Sequence, residues 1–415
     1  MEHVLDREPA SDVDQPATAL DVDPAWDADV AAARDPIEPT SPRRRPPSRL
    51  GGALRAVGRT IARGLEWCFG VISLVLGLSI LAAIPIAQFL CLGYMLEAAA
   101  RVAITGRLRD GLIGVRRAAR VGGVVAGAWI SMLPLWLAGS AAYSAAVIDP
   151  GGPSSRAWRV AMAAVALLTC AHLGAACARG GRLRYFLWPF GNPLWLARRL
   201  RRGGLYVECR DGLWDFVVAL HLPNFFKLGL VGFLGTTAWL VVPATLIIAG
   251  ARFPICWPVG LILLAIIVPF LPFLQIRYAV EGNLHALFSR RAIRSRFRNA
   301  PWAFAFALVV LLIASVPLYL LKIEFVPREA AWLPSLLFVI FLAPARLLTG
   351  WAYHRAGRRR RPRHWLFRIL GRVAILAVAL FYVLIVFLAQ YTSWGGVRSL
   401  YEQHAFSLPV PFLNL

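Results

Sequence analysis

An all-α, polytopic bundle of transmembrane helices is the fold class this sequence predicts. Three observations carry that expectation. Of 415 residues, 58% are hydrophobic and only 16% charged, whereas soluble domains average about 45–50% and about 25%. The chain nevertheless holds 45 basic and 22 acidic side chains, a formal +23, so its charge is confined to particular segments. Between those segments lie apolar runs of the roughly 20 residues that cross a bilayer. This make-up rules out a soluble enzyme, a secreted disulfide scaffold and a wholly disordered protein. Only Lys227 and Lys322 are lysine, and such an arginine bias fits a GC-rich bacterial genome. Five of the six cysteines fall in apolar runs, where cysteine acts as a small hydrophobe.

The elements follow in order. Residues 1–66 are expected to be a disordered tail. Its acidic part, 1–40, sets eleven carboxylates against Arg7 and Arg34 and cannot bury enough apolar surface to offset its ordering entropy. An Arg-rich stem, 41–66, comes next. The tail has no basic n-region followed by an apolar core, so it is not a secretory signal. The helical domain spans 67–390. Its first apolar segment, 67–104, is broken by Pro85, which cannot donate to a helix ladder, and is expected to form a hairpin or re-entrant pair; a single span is the competing reading. Seven clear runs follow at 122–148, 160–178, 228–249, 256–276, 301–321, 330–350 and 366–390, giving about eight segments in total. Arg346, Arg368 and Arg372 are expected near span ends, with their side chains snorkelling to the headgroups. Tryptophans at run ends, such as Trp257, Trp302, Trp351 and Trp365, read as an interfacial belt. Residues 391–415 form a short external tail.

Orientation follows from arginine. The connections 96–121, 179–227, 277–300 and 346–372 carry 30 basic residues, and 149–159, 250–255, 322–329 and 390–415 carry 6. The two sets alternate without exception. Basic loops stay cytoplasmic, so the carboxyl end is expected outside.

Candidate sites are few. Glu97 and Arg101, and Arg277 and Glu281, are i,i+4 pairs that stabilise a helix near lipid. Both belong to a Tyr-x-x-Glu pattern (Tyr94, Tyr278) with a proline nine residues earlier (Pro85, Pro269). With Gln88 and Gln275 they make up a candidate intramembrane polar site. Arg109-Asp110-Gly111-Leu112 and Arg210-Asp211-Gly212-Leu213 read as turn or helix-start chemistry. Cys170, His172 and Cys177 cannot share one helix face, so no metal site is expected. No Gly-x-Ser-x-Gly, His-Glu-x-x-His or P-loop is present, and neither catalysis nor a cofactor is expected. The connection 179–227 interleaves large aromatics with Arg198, Arg199, Arg201 and Arg202. Beside membrane spans that pattern predicts an amphipathic cytoplasmic insertion on anionic lipid headgroups rather than nucleic acid. Arg358, Arg359, Arg360 and Arg361 form a second headgroup-binding cluster.

The stretch Ile84-Pro85-Ile86-Ala87-Gln88-Phe89-Leu90, followed by Gly93-Tyr94-Met95-Leu96-Glu97 and a basic amphipathic segment, resembles a family of bacterial multi-pass membrane proteins. In that family a Pro-interrupted first span ends in Gly-Tyr. The resemblance covers about 40 residues and implies a bacterial membrane protein without implying an activity. The expectation is therefore a non-catalytic protein of the bacterial inner membrane, a scaffold whose arginines hold anionic lipid and whose acidic tail recruits a protein partner. A transporter or lipid-handling protein with a site near Pro85 and Pro269 is the alternative.

Overall fold

The computed structural model describes residues 49–188, 191–320, 332–359, 361–392 and 399–402, and among them there are helices and turns but no strand. The acidic segment 1–40, Arg360 and residues 403–415 lie outside the described residues. Helix α1 (Arg49–Ala83) begins within the basic stem. Its Ala, Leu and Arg are strong helix formers. The bundle belongs to the unit Thr60–Leu415.

Among the described residues, seven stretches are long and apolar enough to cross a membrane: Thr60–Ala83, Val115–Ile148, Pro153–Ala178, Tyr206–Ala249, Pro301–Tyr319, Trp332–Gly357 and Trp365–Tyr391. The pair α10 (Cys256–Ile267) and α11 (Leu271–Glu281) is long and apolar enough only when taken together and is bent by 42° at the break, the geometry of a broken span or a re-entrant loop. The run 256–276 is thus not one straight span. Pro269 and Pro272 flank the bend, and each lacks the N–H that a continuous helix would need. The other expected break is also present: α1 ends at Ala83, residues 84–87 are a turn, and α2 (Gln88–Thr105) begins anew.

Helix α2 is the axis of the fold. It packs on α9 (Leu222–Ala249), on α14 (Trp332–Gly357) and on α11. Small residues make those approaches possible. A Cβ added to Gly93 would run into the Phe225 carbonyl oxygen, and one on Gly229 would run into the Phe89 carbonyl oxygen, both far inside the 3.0 Å that real Cβ atoms keep. At the other contact, a Cβ on Gly350 would overlap the Ala99 oxygen in the same way. Within lipid no hydrophobic difference drives helices together, so close backbone packing at small residues takes over. Around this axis Met95, Leu274, Phe304, Phe338 and Leu342 are fully buried in one apolar cluster. Phe304 lies on α13 (Pro301–Leu320).

Contacts between α2 and α14 also give direction. Ala99 meets Gly350, and one turn later the Ala103 carbonyl accepts from His354 Nδ1 at 3.0 Å. The two helices therefore run parallel, and both end at basic connections. Outside this core, α3 (Val115–Ser131) and α4 (Leu133–Ile148) pair with α5 (Pro153–Ala178) as a peripheral hairpin. Trp129, Trp136, Leu167 and Leu168 are exposed on it.

Replacing Gly93 or Gly229 by alanine is expected to destabilise the detergent-solubilised protein by about 1–3 kcal/mol, the usual cost of overpacking. Gly174→Ala, where a Cβ meets nothing within 4 Å, should leave melting unchanged or raise it slightly. Thermal unfolding followed by circular dichroism checks the contrast.

Candidate functional site

Contacts gather the four basic connections at one end of the bundle. His354 joins 346–372 to the end of α2. On α12 (Arg290–Asn299), Asn299 Nδ2 donates to the Arg359 carbonyl at 2.8 Å, and the Arg298 carbonyl accepts from the Arg363 N–H at 2.9 Å. The Arg296 guanidinium sits 3.9 Å from the Tyr353 ring centroid. Arg117 Nη1 donates to the Ala219 carbonyl, which ties 96–121 to the insertion. Arginine-poor segments meet elsewhere: the hydroxyls of Thr245 and Tyr401 share a hydrogen bond of 2.8 Å, and Trp257 packs edge-on against Phe387. Leu400 is buried there, and the short helix Ser399–Glu402 packs on α9.

Both i,i+4 pairs form. Arg101 Nε lies 3.1 Å from Glu97 Oε1, and Arg277 Nε lies 2.7 Å from Glu281 Oε1. Each pair precedes a left-handed glycine cap (Gly106, φ 76°; Gly282, φ 68°), a 3-10 turn (Leu108–Gly111; Leu284–Leu287) and a basic helix, α3 or α12. The match between the halves extends to Phe89 with Phe273 and Leu90 with Leu274, at the same offset as the tyrosines. Gln88 is buried, and its Oε1 has no hydrogen-bond donor.

One buried polar group departs from its expected place. Arg346 stands fourteen residues into α14 and eleven from its end, about 16 Å from Gly357 at 1.5 Å per residue. It is 1% exposed and does not snorkel. Its Nη1 donates to Gln275 Oε1. The Gln275 amide in turn donates to Thr236 Oγ1 at 2.6 Å and to the Gly232 carbonyl at 3.2 Å. Gln275 itself is 0% exposed. The chain Arg346–Gln275–Thr236 links α14, α11 and α9 through the middle of the bundle. A guanidinium at that depth is costly without such partners. A long apolar run around one arginine does not by itself say whether the side chain escapes or is received. Arg368 and Arg372, by contrast, lie in the first turns of α15 (Trp365–Thr392), at the end of a span.

The insertion folds as α6 (Leu183–Leu187), α7 (Gly191–Arg202) and α8 (Leu205–Ala219). Asn192, fully buried, is its hub. Its Nδ2 donates to the Tyr185 carbonyl at 2.8 Å and to His172 Nδ1 at 3.1 Å, and its Oδ1 accepts from Arg179 Nη1 at 2.6 Å. His172 Nε2 donates to the Phe186 carbonyl, so this histidine organises the insertion. No group of three potential metal ligands occurs among the described residues. The headgroup candidates are not equivalent. Arg198, Arg201 and Arg202 are exposed on α7, whereas Arg199 is ion-paired with Glu208. Arg358 and Arg361 are exposed, and Arg359 is half-buried. Arg109 pairs with Asp110 in the first 3-10 turn, but Arg210 and Asp211 lie inside α8 rather than at a helix start. A helix-forming stretch on both sides carries the second Asp-Gly through.

Comparison with protein families, curated proteins and solved structures finds no match to this chain.

Arg346→Met is expected to destabilise the protein by about 1–3 kcal/mol, because it strands the buried Gln275 oxygen. Adding Gln275→Leu should restore part of that loss. Denaturant titration of the two variants measures the coupling.

Proposed function

We propose that this is a non-catalytic component of the bacterial cytoplasmic membrane, a scaffold seated by its basic end on anionic lipid. One observation carries the reading. In the middle of the bundle Gln275 is engaged by Arg346 and Thr236 and sealed from solvent. A permeation path would instead leave such groups facing water. The gathered basic connections support a cytoplasmic assignment of that end, since arginine-rich loops resist export. Facing a negative leaflet, they would attract anionic headgroups at about 1 kcal/mol for each near-surface arginine. The acidic segment 1–40 offers a partner protein a surface of opposite sign. A second reading, a transporter or lipid-handling protein, is favoured by the buried, unpaired Gln88 Oε1 beside the Pro85 break.

Substituting Arg198, Arg201 and Arg202 together with glutamine should reduce the anionic lipid that co-purifies with the protein while leaving membrane insertion intact. Arg199→Gln should do less, because Glu208 already engages that side chain. Lipid mass spectrometry reads both. Wild-type phosphatidylglycerol content in the triple variant contradicts the lipid-seated scaffold.

A further inference from the structure

We propose that the cavity between the end of α5 and the helices α6 and α7 binds one phosphate-bearing anion, supplied by a phospholipid headgroup. It is an open groove lined by Arg179, Arg184, Tyr185, Trp188 and Gly191, with a volume of about 450 Å³. This deepens the lipid-seated reading, on which it rests, by naming a defined site outside the two clusters that the sequence singled out.

The site is built rather than incidental. Both guanidiniums stack on one ring: Arg179 lies 4.5 Å and Arg184 4.8 Å from the Tyr185 centroid. Arg179 is further held through Nη1 by buried Asn192, and Arg184 donates to the Tyr185 hydroxyl at 2.8 Å. That bond holds the phenol below its usual pKa range, with the charges of Arg184, Arg182 and Arg179 acting in the same direction. Both guanidiniums are thus placed around one ring before any ligand arrives, which lowers the ordering cost of binding. Arginine carries five donors in a planar fork suited to phosphate oxygens.

Charge balance points the same way. No carboxylate occurs in the sequence between Asp149 and Glu208, so this stretch holds no acidic side chain to neutralise the pair. A neighbouring cavity of about 400 Å³, lined by Trp195, Arg198, Arg199, Arg202 and Glu208, already contains its own anion in Glu208. Exposed Trp188 and Leu187 beside the first cavity suit the boundary between headgroup and acyl chain. A lipid, rather than a soluble phosphate ester, is therefore the expected source.

The test uses the full chain in detergent, titrated with phosphatidylglycerol and observed by native mass spectrometry. Wild type should retain one tightly held lipid above a background of weaker adducts. Arg184→Gln, which leaves the Arg179–Asn192 bond in place, should lower occupancy of that lipid about fivefold, the equivalent of one near-surface arginine. The Arg198/Arg201/Arg202 glutamine variant should thin the background and keep the tight lipid, so loss of the background effect alone counts against the scaffold reading and not against this site. Inorganic phosphate at millimolar concentration should leave the lipid bound. Displacement by phosphate would overturn the lipid source, and unchanged tight binding in Arg184→Gln would overturn the site.

Discussion

A formal charge inside a bilayer must either be kept out or be met by polar groups already waiting for it. That constraint organises this molecule. Thirty-six basic residues distributed among eight connections could have been scattered over both ends, yet the arginine-rich connections make contacts with one another, and the arginine-poor end of α9 meets Tyr401 apart from them. Arg346 is the exception that obeys the second clause. It remains at depth because Gln275 and Thr236, from two other helices, are placed to form a chain of hydrogen bonds with it.

Such a chain demands accurate helix placement, and the glycine seams provide it. Gly93 against Gly229 and Gly350 against Ala99 bring α2 into backbone contact with α9 and α14, the helices that carry Thr236 and Arg346. Packing of this kind tolerates no added methyl group, so the spacing between helices is tightly set. The Pro-broken pair α10 and α11 then delivers Gln275 from a third side. Close packing and polar satisfaction are thus one design, with the first fixing the distances that the second requires.

Much of the fold was legible because composition and run length act locally. The apolar runs, the break at Pro85 and the i,i+4 pairs at Glu97 and Glu281 all depend on residues within a few turns of one another. Two features show local signals pulling against each other. The stem from Arg49 is tail-like by charge, although its Ala, Leu and Arg favour helix. The run 256–276 is long enough for one span by hydropathy, and its two prolines bend it. The site was less legible. Whether Arg346 reaches the headgroups or is received inside depends on Gln275 and Thr236, which are remote in sequence and carried on other helices. No local pattern encodes that. Asn192 gave no signal either, since its partners lie 7 to 20 residues off along a chain that doubles back at Gly180 and Gly181.

The most direct test of the account is the sidedness of the two ends. Single cysteines placed as Ser154→Cys, at the arginine-poor start of α5, and Ser295→Cys, on basic α12, are introduced into a chain lacking its native cysteines. An impermeant thiol reagent is then applied to intact cells with the outer envelope made permeable where one exists. The account predicts labelling of Ser154→Cys in intact cells and of Ser295→Cys only after the inner membrane is opened. Labelling of Ser295→Cys from outside, alone or together with Ser154→Cys, would contradict it.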